Sequence, residues 1–309
     1  MSIRSGFITL LGCPNAGKST LLNAVLGQKI SIVSAKPQTT RNRVLGIHTT
    51  PQLQAVLVDT PGVHQATSRL NRAMVQVAKN ALSGVDAICW VVDATSLAER
   101  AKNGAEVLGR REMRLAELVE GCGVEQVSVA LNKIDLTDKT WLLPVLKGLS
   151  ERLPSATLVP ISALKRQGIT ELIGVWRDQL PESAPLFPED QVTDVSERFL
   201  VAELIREKVF KQTREEIPYS TAIEIVDFKE ETRASGRPLV RILASILVER
   251  DSQKGIIIGK KGSRLREIGS QSRKDIEAML GVQVYLDLHV KVASRWTDST
   301  RLLRELGYE

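Results

Sequence analysis

Near the start of the chain a lysine and two hydroxyls follow a glycine-bearing loop, in "GCPNAGKST" (residues 12–20). The spacing is G-x-x-x-x-G-K-S. In such a loop the backbone N–H groups of Gly12, Asn15, Ala16 and Gly17 turn inward and wrap a polyphosphate. Lys18 reaches the terminal phosphates, and the Ser19 hydroxyl, with Thr20 beside it, is placed for Mg²⁺ and phosphate. A helix beginning at Lys18 adds the partial positive charge of its N-terminus. Chance supplies the pattern in roughly one chain of this length in a hundred, so context decides. The apolar "GFITLLG" ahead of it reads as a buried strand and "KSTLLNAVLG" behind it as a helix, which is the setting phosphate binding needs and a stray glycine turn does not.

The base is read elsewhere. "VSVALNKID" (127–135) is an apolar strand ending in Asn132, Lys133 and Asp135. A carboxylate at Asp135 accepts hydrogen bonds from guanine N1–H and the exocyclic amine, whereas adenine presents donor and acceptor the other way round. Asn and Asp are also common turn formers. The segment gains its weight from lying between the phosphate loop and "VPISA" (159–163), whose Ser162 and Ala163 can brace the base. The nucleotide expected is GTP, and GDP after turnover.

"AVLVDTPGV" (55–63) ends another strand at Asp59, with Gly62 three residues on. Asp59 suits Mg²⁺ held through water, and the Gly62 N–H suits a sensor of the γ-phosphate whose loss releases the loop behind it. "QTTRN" (38–42) offers a second hydroxyl for Mg²⁺ beside Ser19 and Asp59, with Thr40 the expected ligand and Thr39 the fallback. Both threonines and Val63 fall in the expected switch. Val63 stands where many switch GTPases carry a water-orienting glutamine; it neither donates nor accepts, so slow intrinsic hydrolysis is expected. His64 is a weak candidate for a base, because proximity without geometry says little.

A second kind of chemistry sits far downstream. "IIIGKKGSRLREIG" (256–269) carries Gly259-Lys260-Lys261-Gly262 between an apolar run and a helix. A G-x-x-G turn lets the chain approach a sugar-phosphate backbone closely, as the KH loop does when it clamps about four nucleotides. Alone it also fits a solvated helix–helix turn; its place after two strands and before a third favours the KH reading. Residues 181–309 are near neutral, with 21 basic and 22 acidic side chains, yet residues 254–274 hold seven basic and one acidic. Arg264, Arg273 and Lys274 therefore join the loop as RNA-binding candidates.

The elements that must position these residues follow from periodicity. Strands are predicted near 6–11, 44–50, 53–59, 86–93, 127–132 and 157–161, and helices over 18–27, 70–82, 104–121, 140–152 and 168–180. This is an α/β P-loop domain with a mostly parallel six-stranded sheet and helices on both faces. The strands at 44–50 and 53–59, joined by "PQL", must pair antiparallel. The segment 28–43 reads as a long functional loop. Proline-rich "LPESAPLFPED" (180–190) marks a linker, so the domains expected are 1–180, a linker 181–194, and 195–309. Asp194 with Glu197 predicts a capping box for the helix "SERFLVAELIREKVF". Two strands near 220–228 and 241–249, a helix over 270–280 and a strand with Val282, Val284, Leu286, Leu288, Val290 and Val292 on one face complete a smaller α+β domain, α-β-β-α-α-β. The connection 229–240 is long for a hairpin.

With 309 residues, 43% hydrophobic and 25% charged, the chain has the composition of an ordinary globular protein with two cores. Its net charge of +6 favours an acidic partner. No run approaches a membrane span, and "MSIRSGFITL" lacks the apolar core of a secretion signal, so a cytoplasmic protein is expected. Cys13, Cys89 and Cys122 form no disulfide or metal pattern. Cys13 is read as filling a variable loop position rather than as a redox-sensitive thiol.

The ordered set "GCPNAGKS", "QTTRN", "DTPG", "NKID" and "ISA", followed by a type II KH domain, resembles the Era family within the TrmE-Era group of GTPases. The resemblance covers nearly the whole chain, including "IPYS" (217–220), "LVER" (247–250) and "RELGY" (304–308). It implies a GTP-hydrolysing switch that binds the 3′ end of 16S ribosomal RNA in single-stranded form and acts in assembly of the 30S ribosomal subunit. It further implies peripheral association with the inner membrane; a monomer is expected. Group members with an asparagine at the position of Asn15 use K⁺, caged by that side chain, backbone carbonyls of the 28–43 loop and phosphate oxygens. The alternative is that Asn15 bonds the loop to itself, as Asn often does. Two rivals stand: an RNA-binding chaperone with a structural nucleotide site, and a tRNA-modification-related GTPase, which leaves the GKKG segment unexplained.

Overall fold

The computed structural model describes residues 3–34, 36, 39–62, 69–233 and 236–308. Val63 and His64 lie outside them. By internal contacts the chain divides into two compact units. The first holds the chain up to Ser31, the segment from Thr40 and Met74–Asp194; the second holds Val195 onward, with short segments from Ile32–Thr39 and Ala66–Ala73.

The first unit runs β1 (Arg4–Leu11), α1 (Lys18–Leu26), β2 (Val44–Thr50), β3 (Leu53–Asp59), α2 (Arg69–Asn80, which belongs to this unit from Met74 on), β4 (Ala87–Asp93), α3 (Ala94–Lys102), α4 (Arg110–Gly121), β5 (Gln126–Asn132), α5 (Leu142–Arg152), β6 (Thr157–Pro160) and α6 (Ile169–Gln179). Its sheet has the order β2-β3-β1-β4-β5-β6, parallel except for the β2–β3 pair. Every residue of β3 is buried, as a parallel strand covered on both faces requires. The register sets Leu10 against Asp59, Leu11 against Trp90 and Asp93 against Asn132. The ends of β1, β3, β4 and β5 thus gather on the carboxyl edge of the sheet, where open α/β sheets bind ligands.

Two sequence expectations fail here for local reasons. The helix expected over 104–121 begins only at Arg110, as α4, and a helix the sequence did not announce, α3, precedes it over Ala94–Lys102, ending before Gly104 with φ 67. Asp93 ends β4 and also caps α3, its carboxylate accepting from Thr95 N at 3.0 Å, a signal hidden in what reads as a strand end. The capping box at Asp194 and Glu197 does not form. Ser196 caps the helix instead, accepting from Phe199 N at 3.3 Å, while Asp194 accepts from Leu45 N at 3.4 Å.

The proline-rich segment does not hang free of the first unit. Phe187 meets Phe7 edge-on with ring centroids 6.5 Å apart. Gln54, fully buried in β3, accepts from Leu186 N (2.6 Å) and Phe187 N (2.9 Å) and donates to Phe187 O (2.8 Å). A buried amide is tolerable only when its donors and acceptor are used, and this strap uses them.

The second unit runs α7 (Glu197–Gln212), β7 (Ala222–Thr232), β8 (Pro238–Val248), α8 (Asp251–Ile258), α9 (Ser263–Leu280), β9 (Gln283–Val292) and α10 (Thr300–Glu305). β7 pairs antiparallel and β9 parallel with β8. The ladder continues to Thr232 against Pro238, so most of the expected long connection over 229–240 belongs to the two strands. The helix expected over 270–280 begins already at Ser263. Ile223, Ile246 and Val290 share one sheet face and pack with Val201, Ile205, Ile268 and Ile276. Trp296 is fully buried, donating from Nε1 to Ser220 O at 2.7 Å. Among the described residues no helix is long and apolar enough to cross a membrane.

Candidate functional site

Both motif glycines are forced by close approach. A Cβ on Gly12 would lie 2.4 Å from Val91 O, and one on Gly17, whose φ is 102, would lie 2.2 Å from Asn132 Nδ2. Between them Asn15 takes the left-handed conformation, φ 64, that Asn tolerates. Ala16 is buried, and its carbonyl accepts from Asn132 Nδ2 at 2.9 Å. Lys18, nearly buried, folds its ammonium back onto Gly12 O (3.0 Å) and Cys13 O (3.2 Å). Burial pushes its pKa down, with Asp59 opposing, so an incoming phosphate would find a poorly hydrated cation at the head of α1.

Oxygen atoms from four segments meet at the end of β3. Asp59 Oδ2 accepts from Ser19 Oγ (2.7 Å) and Ser31 Oγ (2.8 Å), and Ser19 Oγ lies 2.8 Å from Thr40 Oγ1. Burial pushes the Asp59 pKa up, against Lys18 and the hydroxyls of Ser19, Ser31 and Thr40. Asp59 Oδ1 is buried with no hydrogen-bond partner among the described residues. Hydroxyls and a carboxylate with a spare lone pair are the donor type a hard Mg²⁺ takes, completed by phosphate and water. Thr39 is turned away: its Oγ1 donates to Lys36 O at 2.8 Å and lies 2.9 Å from Ser34 Oγ. Gly62 backs onto the phosphate loop, where a Cβ would come 3.0 Å from Pro14. Ser31 has no place among the expected site residues; a serine in an unpatterned loop carries no signal.

At the end of β5, Asn132 ties two segments together. Its Oδ1 accepts from Ala163 N at 2.9 Å while its Nδ2 holds the phosphate loop. Lys133, at φ 68, pairs with Asp93 Oδ2 at 2.5 Å, a partner not foreseen from the sequence. Asp135 is exposed in the turn Ile134–Leu136, its carboxylate open to a ligand's edge. The backbone of Ser162 exchanges bonds with Gln167 (3.0 and 3.1 Å), and Ser162 Oγ accepts from Lys165 N at 3.1 Å. Thr20 and Ala163 line one cleft of about 280 Å³.

Cys13 is packed beside the loop, its thiol donating weakly to Glu112 Oε1 at 3.6 Å. Burial first, then the neighbouring Glu112, pushes its pKa up to about 11. Thiolate is the reactive form. Iodoacetamide at pH 8 should therefore alkylate Cys13 in the folded protein far more slowly than it does glutathione, with mass spectrometry of the labelled peptide as the check.

In the second unit Gly259 (φ 71), Lys261 (φ 51) and Gly262 (φ 75) make the turn between α8 and α9. A Cβ on Gly259 would lie 2.9 Å from Arg264 Cβ. Lys260 and Lys261 are exposed. The turn opens on a groove of about 390 Å³ between α9 and β9, with Leu265, Leu286 and Leu288 apolar and Arg266 and Arg273 basic. Residues 262, 266, 269 and 273 share the α9 face that lines it. Arg264 instead donates back to Ile256 O, and Lys274 is exposed but outside the groove lining. Arg266 is absent from the residues expected on sequence grounds; its signal is the start of α9 at Ser263, which puts it in phase with Gly262 and Arg273.

Residues 7–133 match the family described as 50S ribosome-binding GTPase, and residues 216–297 match the KH domain family. The chain is 48% identical over 305 residues to the GTPase Era of Geobacter metallireducens, covering 99% of this chain and 98% of that one. It is 47% identical over 307 residues to the GTPase Era of Ectopseudomonas mendocina, covering 99% and 97%. Among solved structures it resembles a single-residue variant of Aquifex aeolicus Era bound to GDP·AlF₄⁻, with a TM-score of 0.90 and 38% identity over 99% of both chains. A crystal structure of Era with MgGDPNP and nucleotides 1506–1542 of 16S ribosomal RNA matches equally well, at TM-score 0.90, 38% identity and 99% coverage of both chains.

Proposed function

The chain belongs to the Era family of GTPases, and from that premise we propose that it is a GTP-driven switch that binds the 3′ region of 16S ribosomal RNA and acts in assembly of the 30S subunit. The observation that carries the reading is the oxygen cluster at Asp59, where Ser19, Ser31 and Thr40 converge beside a buried lysine. In this reading the amides of Gly12 to Ser19 and the ammonium of Lys18 hold the phosphates. Ser19 and Thr40 would ligate Mg²⁺, Asp59 would hold it through water, and Gly62 would contact the γ-phosphate. When bound, Mg²⁺ would supply charge neutralisation to the phosphates. Asp135 selects guanine, Asn132 and Lys133 stiffen the wall beside it, and Ser162 and Ala163 brace the base.

The GKKG turn and the groove beneath it take single-stranded RNA, with Lys260 and Lys261 on the sugar-phosphate backbone and Arg266 and Arg273 along the groove. An apolar floor between basic walls suits unstacked bases, whose faces are apolar and whose linkages are anionic. The experiment is GTP turnover by the full chain with and without an RNA covering 16S nucleotides 1506–1542. A switch hydrolyses GTP and changes its RNA affinity between GTP-analogue and GDP forms; equal affinity in both forms with no turnover would favour the chaperone with a structural nucleotide.

Val63 supplies no water-positioning amide, so charge stabilisation of the transition state must come from another source. We assign it to K⁺ held by Asn15, whose left-handed backbone lies within the phosphate loop. GTP hydrolysis should run well over tenfold faster in KCl than in NaCl at equal ionic strength, an effect of the size a lost oxyanion donor produces. Asn15→Ala should erase the difference and leave nucleotide affinity near that of the original protein. Equal rates in the two salts would sink the assignment.

A further inference from the structure

Of the groups touching Asp59, Ser31 is the one that belongs neither to the phosphate loop nor to the threonine pair, and its position is built rather than incidental. Among the described residues between α1 and β2 no helix or strand satisfies the backbone, and at Ile30 and Ser31 one side chain takes over that task. Asn23 Oδ1 accepts from Ile30 N and from Ser31 N, both at 2.9 Å, and Asn23 Nδ2 donates to Ser31 O at 2.7 Å. Three bonds from one amide fix two residues of loop. The product is the Ser31 hydroxyl, nearly buried, donating to Asp59 Oδ2 at 2.8 Å.

Asn23 stands four residues after Ser19, on the same face of α1. One helix face therefore reaches Asp59 twice, directly through Ser19 and indirectly through Asn23 and Ser31. The two arms differ in what a ligand does to them. In the magnesium reading Ser19 would turn a lone pair to the metal, whereas Ser31 is no metal ligand and would keep its bond to Oδ2. That bond holds the carboxylate plane, and with it the buried Oδ1, unpartnered among the described residues, in one orientation.

We propose that Ser31 and Asn23 are positioning residues for Mg²⁺: Ser31 orients Asp59 towards the water-bridged metal, and Asn23 sets Ser31. The proposal rests on the reading of Ser19, Thr40 and Asp59 as the magnesium site. Partners of a direct ligand typically set ten- to a hundredfold in metal affinity; Ser31 acts through Asp59 and a water, so the low end of that range is expected. Neither residue touches phosphate in this scheme, so nucleotide held without metal should not sense their loss.

The test follows release of the fluorescent N-methylanthraniloyl derivative of GDP from the full chain as Mg²⁺ is varied, with an EDTA baseline and thermal melting to verify folding. In the original protein Mg²⁺ should slow release. Ser31→Ala should raise the Mg²⁺ concentration for half-maximal slowing by about tenfold and leave the rate in EDTA unchanged. Ser31→Thr, which keeps the hydroxyl, should restore the original half-point, and Asn23→Ala should shift it in the same direction as Ser31→Ala. A folded Ser31→Ala protein with an unmoved half-point, or one whose release in EDTA rises by the same factor, overturns the proposal. Release from the original protein that ignores Mg²⁺ would instead overturn the magnesium site, and this inference with it.

Discussion

Replacing Asp135 with asparagine should turn a protein that prefers GTP into one that prefers xanthosine triphosphate. The carboxylate accepts from two N–H donors of guanine, and hydrogen bonds to a charged group contribute about 1.5–3 kcal/mol each. Asparagine keeps one acceptor and places a donor where the exocyclic amine also donates. GTP affinity should fall roughly 10²–10³-fold, while xanthine, with a C2 carbonyl there, gains a partner. Asp135 is exposed in a short turn, so the exchange removes no core packing and the melting temperature should hardly move. Competition of the two nucleotides against a fluorescent analogue gives the ratio. A variant that still prefers GTP by the original margin would show that another residue reads the base.

Reversing both lysines of the GKKG turn, Lys260→Asp with Lys261→Asp, should abolish measurable RNA binding and leave GTP binding intact. Each lysine lost from a phosphate contact lowers the slope of log K against log salt by about 0.7 for a single strand, so the pair should remove about 1.4. Two carboxylates facing phosphates add repulsion, and more than a hundredfold loss of affinity is expected at low salt, where the Debye length is longest. The variant should fold. Both side chains are exposed, and aspartate tolerates the left-handed conformation that Lys261 adopts at φ 51. Filter binding with a 16S 3′-end RNA across a salt series measures both quantities. Undiminished affinity in the folded variant would remove the turn from the RNA interface. Arg266→Ala offers a finer comparison. As a groove residue it should weaken binding less than the double reversal, and more than Lys274→Ala, which lies off the groove.

Much of this could be read without coordinates, because the chemistry is written in contiguous residues. A phosphate loop is one turn, so Gly12, Gly17, Lys18 and Ser19 announce it by spacing alone. Strand-end motifs behave similarly: an apolar run that stops at Asp59 or Asn132 already says that a sheet edge is there. The order of the motifs and of the KH elements set the two fold classes, since parallel strands need crossovers and a two-residue gap forces β2 and β3 antiparallel.

What only the tertiary structure decided is which side chains converge. Thr39 and Thr40 are adjacent and alike, and their opposite fates depend on how the loop turns as it meets Ser19. Ser31 and Asp93 have no signature, because their partners Asp59 and Lys133 stand 28 and 40 residues away. Arg266 and Lys274 sit on one basic helix, and the rotation of α9 against β9 separates the groove residue from the solvated one. Local pattern sets backbone conformation within a few residues. Convergence across α1, the 28–43 loop, β3 and β5 is set by strand register and by buried polar groups, Asn23, Gln54 and Asn132 above all, which must find partners wherever the packed chain supplies them.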